Sequence, residues 1–461
     1  MDFSWENTEL WHFVIQFGII ACGLLAANIL RRKVPFINRS LAPTAVLTGF
    51  LFLILKTAGL ISLDGDLLET LTYHGIAVGF IALSLRVPKS GDRGEILTSF
   101  KSGALIVSTY LFQGLIGLTV TIALAYTVMP GLFKASGILL PMGYGQGPGQ
   151  ANNVGVTYEA LGFTGGQSFG LSLAAAGYAC ACIIGVVYLN VLSRKNKISV
   201  KQHEEISGSV SIDTFQDKGE IPIAESIDRF TIQVALVLAI YLLTYLFTRG
   251  ITSALAAGAP GVAKTLNPLL WGFNFIVGSM LALAARSVIS TFGKYRLMTH
   301  QYQNNYLLGR ISGFAFDLMI IAGIATIDIK DLAGLWLPFA ILAVLGGFLT
   351  LFYLQIVCKK IYPGYYYEGL LSMYGMLTGT ISSGILLLRE IDPDFETPAA
   401  NNLITGSSYG IMLGAPLLAV IGIAPKSGPL LFVSYIIVAA YWLLLLAAIY
   451  KINIKKQKKK A

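Results

Sequence analysis

Charge is scarce in this chain. Only 12% of its 461 residues are charged, about half the share of an ordinary soluble domain. Histidine and cysteine are just as thin, at four each. His12, His74, His203 and His300 are scattered without metal-ligand spacing, so no transition-metal site is expected. Cys22, Cys180, Cys182 and Cys358 lie in or beside apolar runs. They form neither a disulfide framework nor a C-x-x-C redox pair, and read as small packing residues. No serine-hydrolase elbow or zinc-protease helix is present. "GAPGVAKT" (258–265) comes near a P-loop, but Ala263 replaces the second required glycine and no βαβ context surrounds it. The chain is therefore not expected to be an enzyme or an ATP-driven machine, and no cofactor is expected beyond a coupling ion.

What is abundant is apolar sequence. Hydrophobic residues make up 55% of the chain and fall in blocks of about twenty, the length that crosses a bilayer as helix. Eleven spans are expected, near 10–30, 42–60, 67–85, 103–126, 165–192, 230–247, 268–289, 311–327, 335–357, 399–421 and 429–450. The net charge of +9 does not indicate nucleic acid, because the basic residues cluster at the ends of these blocks. Asp2, Glu6 and Glu9 precede the first block and Arg31, Arg32 and Lys33 follow it, the reverse of a cleavable signal peptide. Threading the chain with its N-terminus outside puts most Lys and Arg, including the "KKQKKKA" tail, on the inside. Only Lys56, Lys134, Arg249, Lys264, Lys330 and Lys426 then fall outside.

The spans divide into residues 1–192, with five, and residues 229–425, with five more. A polar connector covers 193–228, and 426–461 holds an extra span and the basic tail. An odd number of spans per half makes similar halves inverted repeats, a common plan among secondary transporters. Each half has a long gap between its fourth and fifth spans, and each gap contains a small polar tip. The tips are "GPGQANNVG" (147–155) and "LTGTISSG" (377–384), flanked by arms about half a membrane long. The expected fold is thus an all-α polytopic membrane protein. Its re-entrant hairpins lie near 130–162 and 367–393 and enter from opposite sides.

Irregular backbone at membrane depth persists only where protein covers it or it lines a cavity. Two tips meeting at mid-depth would offer carbonyls and hydroxyls to Na⁺ and helix N-termini to a carboxylate. The candidate substrate residues are Gln146, Gly147, Pro148, Gly149, Gln150, Asn152 and Asn153 from the first tip. The second contributes Thr378, Gly379, Thr380, Ser382, Ser383 and, farther along its arm, Arg389. The candidate ion ligands are Asn153, Thr380, Ser383 and Asp317, a carboxylate inside an apolar span. Glu69 and His74 read as mainly structural, and Glu159, about nine residues after its tip, is expected close to the aqueous end of its arm.

The stretch "GYGQGPGQANNVGVTYEALGFTGGQSFGLSLAAAGY", with "VGFIALSLR" (78–86) and "GMLTGTISSG", resembles the glutamate:sodium symporter family. That family carries a Gly-Gly-His-Gly tip where this chain has Gln146-Gly147-Pro148-Gly149, so Pro148 stands in place of the histidine. The family's Thr-Pro-Thr pattern is replaced here by Ile381-Ser382-Ser383. The resemblance implies Na⁺-coupled import of glutamate or a similar small carboxylate. It also implies a homodimer in a bacterial-type cytoplasmic membrane, with transport domains that move against a fixed scaffold. Composition and spacing alone reach an ion-coupled secondary transporter. They leave open a cation/proton antiporter or a proton-coupled organic-anion carrier, and more remotely a channel or transport-like sensor.

Overall fold

The computed structural model describes residues 3–35, 37, 42–87, 93–195, 197–198, 229–295, 301–392 and 397–451. Most of the 193–228 connector and the basic tail after Lys451 lie outside these residues, as do Arg39, Lys89 and Arg296. Among the described residues the fold is all-helical. Nine helices are long and apolar enough to cross a membrane, and one bent pair adds a tenth. The protein is therefore membrane-embedded.

The N-terminal half contains α1 (Thr8–Lys33), α2 (Thr44–Thr57), α3 (Gly65–Leu85) and α4 (Arg93–Thr127). The pair α5 (Leu139–Tyr144) and α6 (Pro148–Glu159) follows, then α7 (Gly166–Cys180) and α8 (Val186–Arg194). The C-terminal half contains α9 (Arg229–Gly258), α10 (Pro260–Gly272), α11 (Asn274–Lys294), α12 (Asn305–Thr326) and α13 (Trp336–Ile361). It continues with α14 (Tyr366–Thr378), α15 (Ile381–Arg389), α16 (Ala399–Gly414), α17 (Leu417–Ile423) and the last span, α18 (Gly428–Lys451).

Local chemistry sets several boundaries. The Asn7, Asp64 and Asn304 side chains accept hydrogen bonds from first-turn amides of α1, α3 and α12. Arg31, Arg32 and Lys33 lie in the last turn of α1, at the negative end of its dipole. Three expected spans are realised differently. The second is a helix of only 14 residues, about 21 Å long against a hydrocarbon core of about 30 Å. The seventh begins at Asn274, because residues 260–272 form a separate short helix. The tenth bends by 50° between α16 and α17, around Ala415 and Pro416. A proline there lacks the amide that would continue the ladder.

The two halves interlock at their third spans. α3 packs along α12, α2 also packs on α12, and α11 packs on α3. The contacts mirror each other: Gly49 of α2 lies against Ile324 of α12, and Gly278 of α11 lies against Ile81 of α3. The fourth spans α4 and α13 also pack together, and each touches the fifth span of the other half, α16 and α7 respectively.

The helix ends sort into two sets. At one end the His12 ring lies 2.7 Å from the Asp64 carboxylate. At the same end Lys56 donates to the Ala325 and Thr326 carbonyls, and Ser168 at the start of α7 donates to Asp331. At the other end Arg286 donates to the carbonyls of Ser84 and Arg86, and Asn305 pairs with Val87.

Candidate functional site

Each half interrupts its helical path with a hairpin of two short helices. In the first, α5 ends at Tyr144 and α6 restarts at Pro148. Gly147 makes the turn with φ +87°, a conformation open to glycine and strained for L side chains. Pro148 then occupies the first helical position, where its missing N–H costs nothing. In the second hairpin α14 ends at Thr378, and α15 begins at Ile381 after an extended Thr380.

The tips touch. A Cβ on Gly147 would lie 3.7 Å from Thr380 Cγ2, 3.7 Å from the Tyr178 hydroxyl and 3.8 Å from the Gly379 carbonyl oxygen. α6 and α15 both start here, so the positive ends of two helix dipoles converge where the hairpins meet.

The sequence candidates divide by what their side chains touch. Asn152 Oδ1 accepts a 2.9 Å bond from Gln167 Nε2, which also donates to Glu69 at 2.9 Å. Asn153 Nδ2 donates to the Gly272 carbonyl at 2.6 Å. Both asparagines thereby hold α6 against its neighbours. Pro148 packs on α12, where a Cβ added to Gly323 would come 2.7 Å from Pro148 Cβ. Gly149 faces Ile76 of α3 and Met319 of α12. Glu159 accepts from the Gln167 amide, satisfying a first-turn donor of α7. Arg389 lies in the last turn of α15, about 13 Å along the helix from the tip.

Gln146, Gly379 and Thr380 do reach a common space. They line a cavity of about 80 Å³ together with Gly145, Tyr110 and walls from α3, α4, α11, α12, α16 and α17. Gln113 of α4 steadies this region by donating to the Leu377 carbonyl at 2.9 Å and to Thr350 at 3.0 Å. Thr378 is bonded back to the Tyr374 carbonyl at 2.8 Å. The side chain of Ser382 lies outside the described residues.

Several polar groups around the tips lack partners. The hydroxyls of Thr380, Ser383 and Tyr178, and both amide atoms of Gln150, are buried without a hydrogen bond among the described residues. Ser383 and Tyr178 lie close together, because a Cβ on Gly379 would come 2.9 Å from Ser383 Oγ and 3.0 Å from Tyr178 Cδ1. The Tyr178 hydroxyl faces Thr380 and is within electrostatic reach of Asp317. An unsatisfied buried hydroxyl costs about 1–3 kcal/mol; Tyr178 and Thr380 are placed to relieve each other in part, and Ser383 stays expensive unless a further partner binds there. Asp317 itself is half-buried and makes no ion pair among the described residues. Arg310, seven positions earlier, lies 5.0 Å over the Tyr306 ring instead.

Tyr178 is the residue that sequence reading missed. It sits in α7 after Gly177, and a π-helical turn, Ala181–Gly185, follows within one turn of it. Such turns are frequent at functional sites. The only signal available beforehand was a tyrosine with small neighbours inside an apolar span, which needs a partner for its hydroxyl. Compared with protein-family models and with curated proteins, the sequence matches none.

Proposed function

We propose that this protein is a Na⁺-coupled secondary transporter that imports a small carboxylate by alternating access. The observation that carries this reading is the meeting of two helix-breaking tips beside a cavity walled by both halves, with Thr380 lining that cavity and the buried Ser383 and Tyr178 hydroxyls grouped behind it around Gly379 and Gly147. Hydroxyl and carbonyl oxygens suit a hard monovalent cation, and helix N-termini suit a carboxylate. Tyr178, Thr380 and Ser383, the Gly379 carbonyl and the Asp317 carboxylate are the groups that would hold Na⁺. The cation would satisfy the orphaned oxygens and offset the carboxylate charge. Binding of ion and substrate across both tips gives each a differential interaction with the closed arrangement, and this is what couples them.

The exchanged packing of second and third spans supports two inverted repeats, since each half buries the other in the same way. The set of helix ends bearing Arg86 and Arg286 supports an N-outside, C-inside orientation. Glutamate as cargo, a homodimer and elevator-like motion of the hairpin domain are what the family resemblance adds.

Uptake of labelled carboxylate into liposomes under an inward Na⁺ gradient tests the reading. Accumulation that collapses when the gradient is removed is expected, and uptake indifferent to Na⁺ overturns the coupling. Unpaired Asp317 favours a second reading, proton coupling or cation/proton exchange. Asp317→Asn separates the two: a raised half-saturating Na⁺ concentration with retained uptake supports sodium coupling, and loss of pH-driven flux supports proton coupling.

A further inference from the structure

The cavity between the tips is not built for a dicarboxylate. Its walls carry Phe80, Phe273, Phe275, Phe316, Met319 and Met376, and among the described residues no Asp, Glu, Lys, Arg or His side chain lines it. The phenylalanines form a continuous surface. The Phe80 ring is tilted against Phe275 at 5.2 Å and meets Phe316 edge-on at 5.3 Å, and Phe273 lies 6.3 Å from Phe275. The polar side chains in the lining are few: Gln146 and Thr380 at the tips, Tyr110 packed against Gly145, and Ser407, whose hydroxyl donates to the Leu403 carbonyl.

A carboxylate has a place here. The first turn of α15, which joins the lining at Ile381, the Gln146 side-chain amide and the Thr380 hydroxyl lie on the tip side of the cavity. Glutamate brings a second carboxylate and an ammonium as well. Moving each of these from water to an apolar wall costs several kcal/mol without a counter-charge. An ammonium over a phenylalanine face recovers only a small part of that cost, and a second carboxylate recovers nothing there. The wall instead rewards an uncharged body, in proportion to the apolar surface it removes from water.

We infer that the site takes a small amphiphilic monocarboxylate, with its single carboxylate at the tips and an aryl or branched-alkyl body among the phenylalanines, and that it discriminates against glutamate. This rests on the small-carboxylate transport reading and narrows it.

The test is a ligand panel on the purified full-length protein in Na⁺, read as thermal stabilisation. The probes are phenylacetate, 4-methylpentanoate, glutamate, succinate and the neutral control phenylacetamide. The two apolar acids are expected to raise Tm by roughly 3 °C or more at saturating concentration, and the other three by under about 1 °C. Phe316→Ala should weaken phenylacetate binding about 10-fold or more, and Gln146→Leu should weaken it while leaving the unliganded Tm near that of the parent. Stabilisation by glutamate or succinate equal to that by the apolar acids overturns the substrate class and leaves carboxylate transport standing. Equal stabilisation by phenylacetamide removes the carboxylate from recognition and overturns the inference. No response to any acid, with or without Na⁺, overturns the inference and the carboxylate reading together. Binding of the apolar acids without Na⁺-driven uptake into liposomes upholds the inference about the site and removes transport.

Discussion

The first tip is the richer one on paper, with two glutamines, two asparagines and a proline among its glycines, and it spends most of them on holding itself in place. Asn152 and Asn153 bond to neighbouring segments, and Pro148 and Gly149 pack on α12 and α3. Only Gly145 and Gln146 reach the cavity. The second tip is plainer, yet it leaves the Thr380 and Ser383 hydroxyls unpartnered beside Tyr178. α6 is tightly flanked by α7, α3 and α12, and this is where its two asparagines find their neighbours, while Gln150 on the same helix stays without a partner among the described residues. At the second tip the helix interruption itself withdraws the partners. The difference teaches that polar content and ligand-facing chemistry are separate properties of a helix-breaking tip.

The strongest way to break that contrast is to put a branched side chain on each tip. Gly379→Val should reduce Na⁺-driven uptake by about 100-fold or more with normal membrane insertion, because its Cβ would enter the space between Ser383 and Tyr178. Gly149→Val presses on Ile76 and Met319 instead. It should lower stability by about 1–3 kcal/mol, as overpacking does, and keep measurable uptake. Near-normal uptake by Gly379→Val would remove the second tip from the site.

Hydroxyl and amide deletions sharpen the same comparison at smaller scale. Ser383→Ala and Thr380→Val should raise the half-saturating Na⁺ concentration about 10-fold each while leaving the unliganded Tm unchanged or higher, since an orphaned donor is removed. Asn152→Ala and Asn153→Ala should do the opposite. Each should lower Tm by leaving a buried partner unsatisfied, worth about 1–3 kcal/mol, with little change in Na⁺ dependence. Thermal unfolding and Na⁺ titration of uptake on the same four variants decide it.

The smallest effect lies at the periphery. The His12 ring hydrogen-bonded to Asp64 holds that carboxyl below its usual range. Its folded value is therefore lower than its unfolded one. The contact stabilises fully above the unfolded carboxyl value of about 3.9, and the benefit is lost as pH falls through the folded value. Asp64→Asn should lower Tm by under about 2 °C at neutral pH, with the gap to the parent closing in acid. A gap that widens in acid would contradict the assignment.

Much of this molecule was readable beforehand. The apolar blocks and both helix breaks follow from local composition, because the bilayer demands about 20 apolar residues per span and glycine and proline interrupt helices wherever they fall. The bend at Pro416 was not read from the 399–421 block. The 14-residue α2 was harder to see, since an apolar stretch continues past Thr57 to Ile61 while the helix stops before Gly59 turns the chain with φ +71°. Asp317 was visible as a charge inside a span. Arg389 shows the limit of such reading: one arm's length from the tip in sequence is also one helix's length from it in space.

The sequence by itself determined that this is a many-span helical membrane protein with two broken hairpins, because those properties reside in runs of neighbouring residues. Only the tertiary structure decided which polar groups remain free. Asn152 is occupied by Gln167, 15 positions away, and Asn153 by Gly272, 119 positions away. Thr380 instead faces Tyr178 from the opposite half of the chain. Hydrogen-bond satisfaction and cavity walls are set by contacts between distant segments, and no local pattern of residues encodes them.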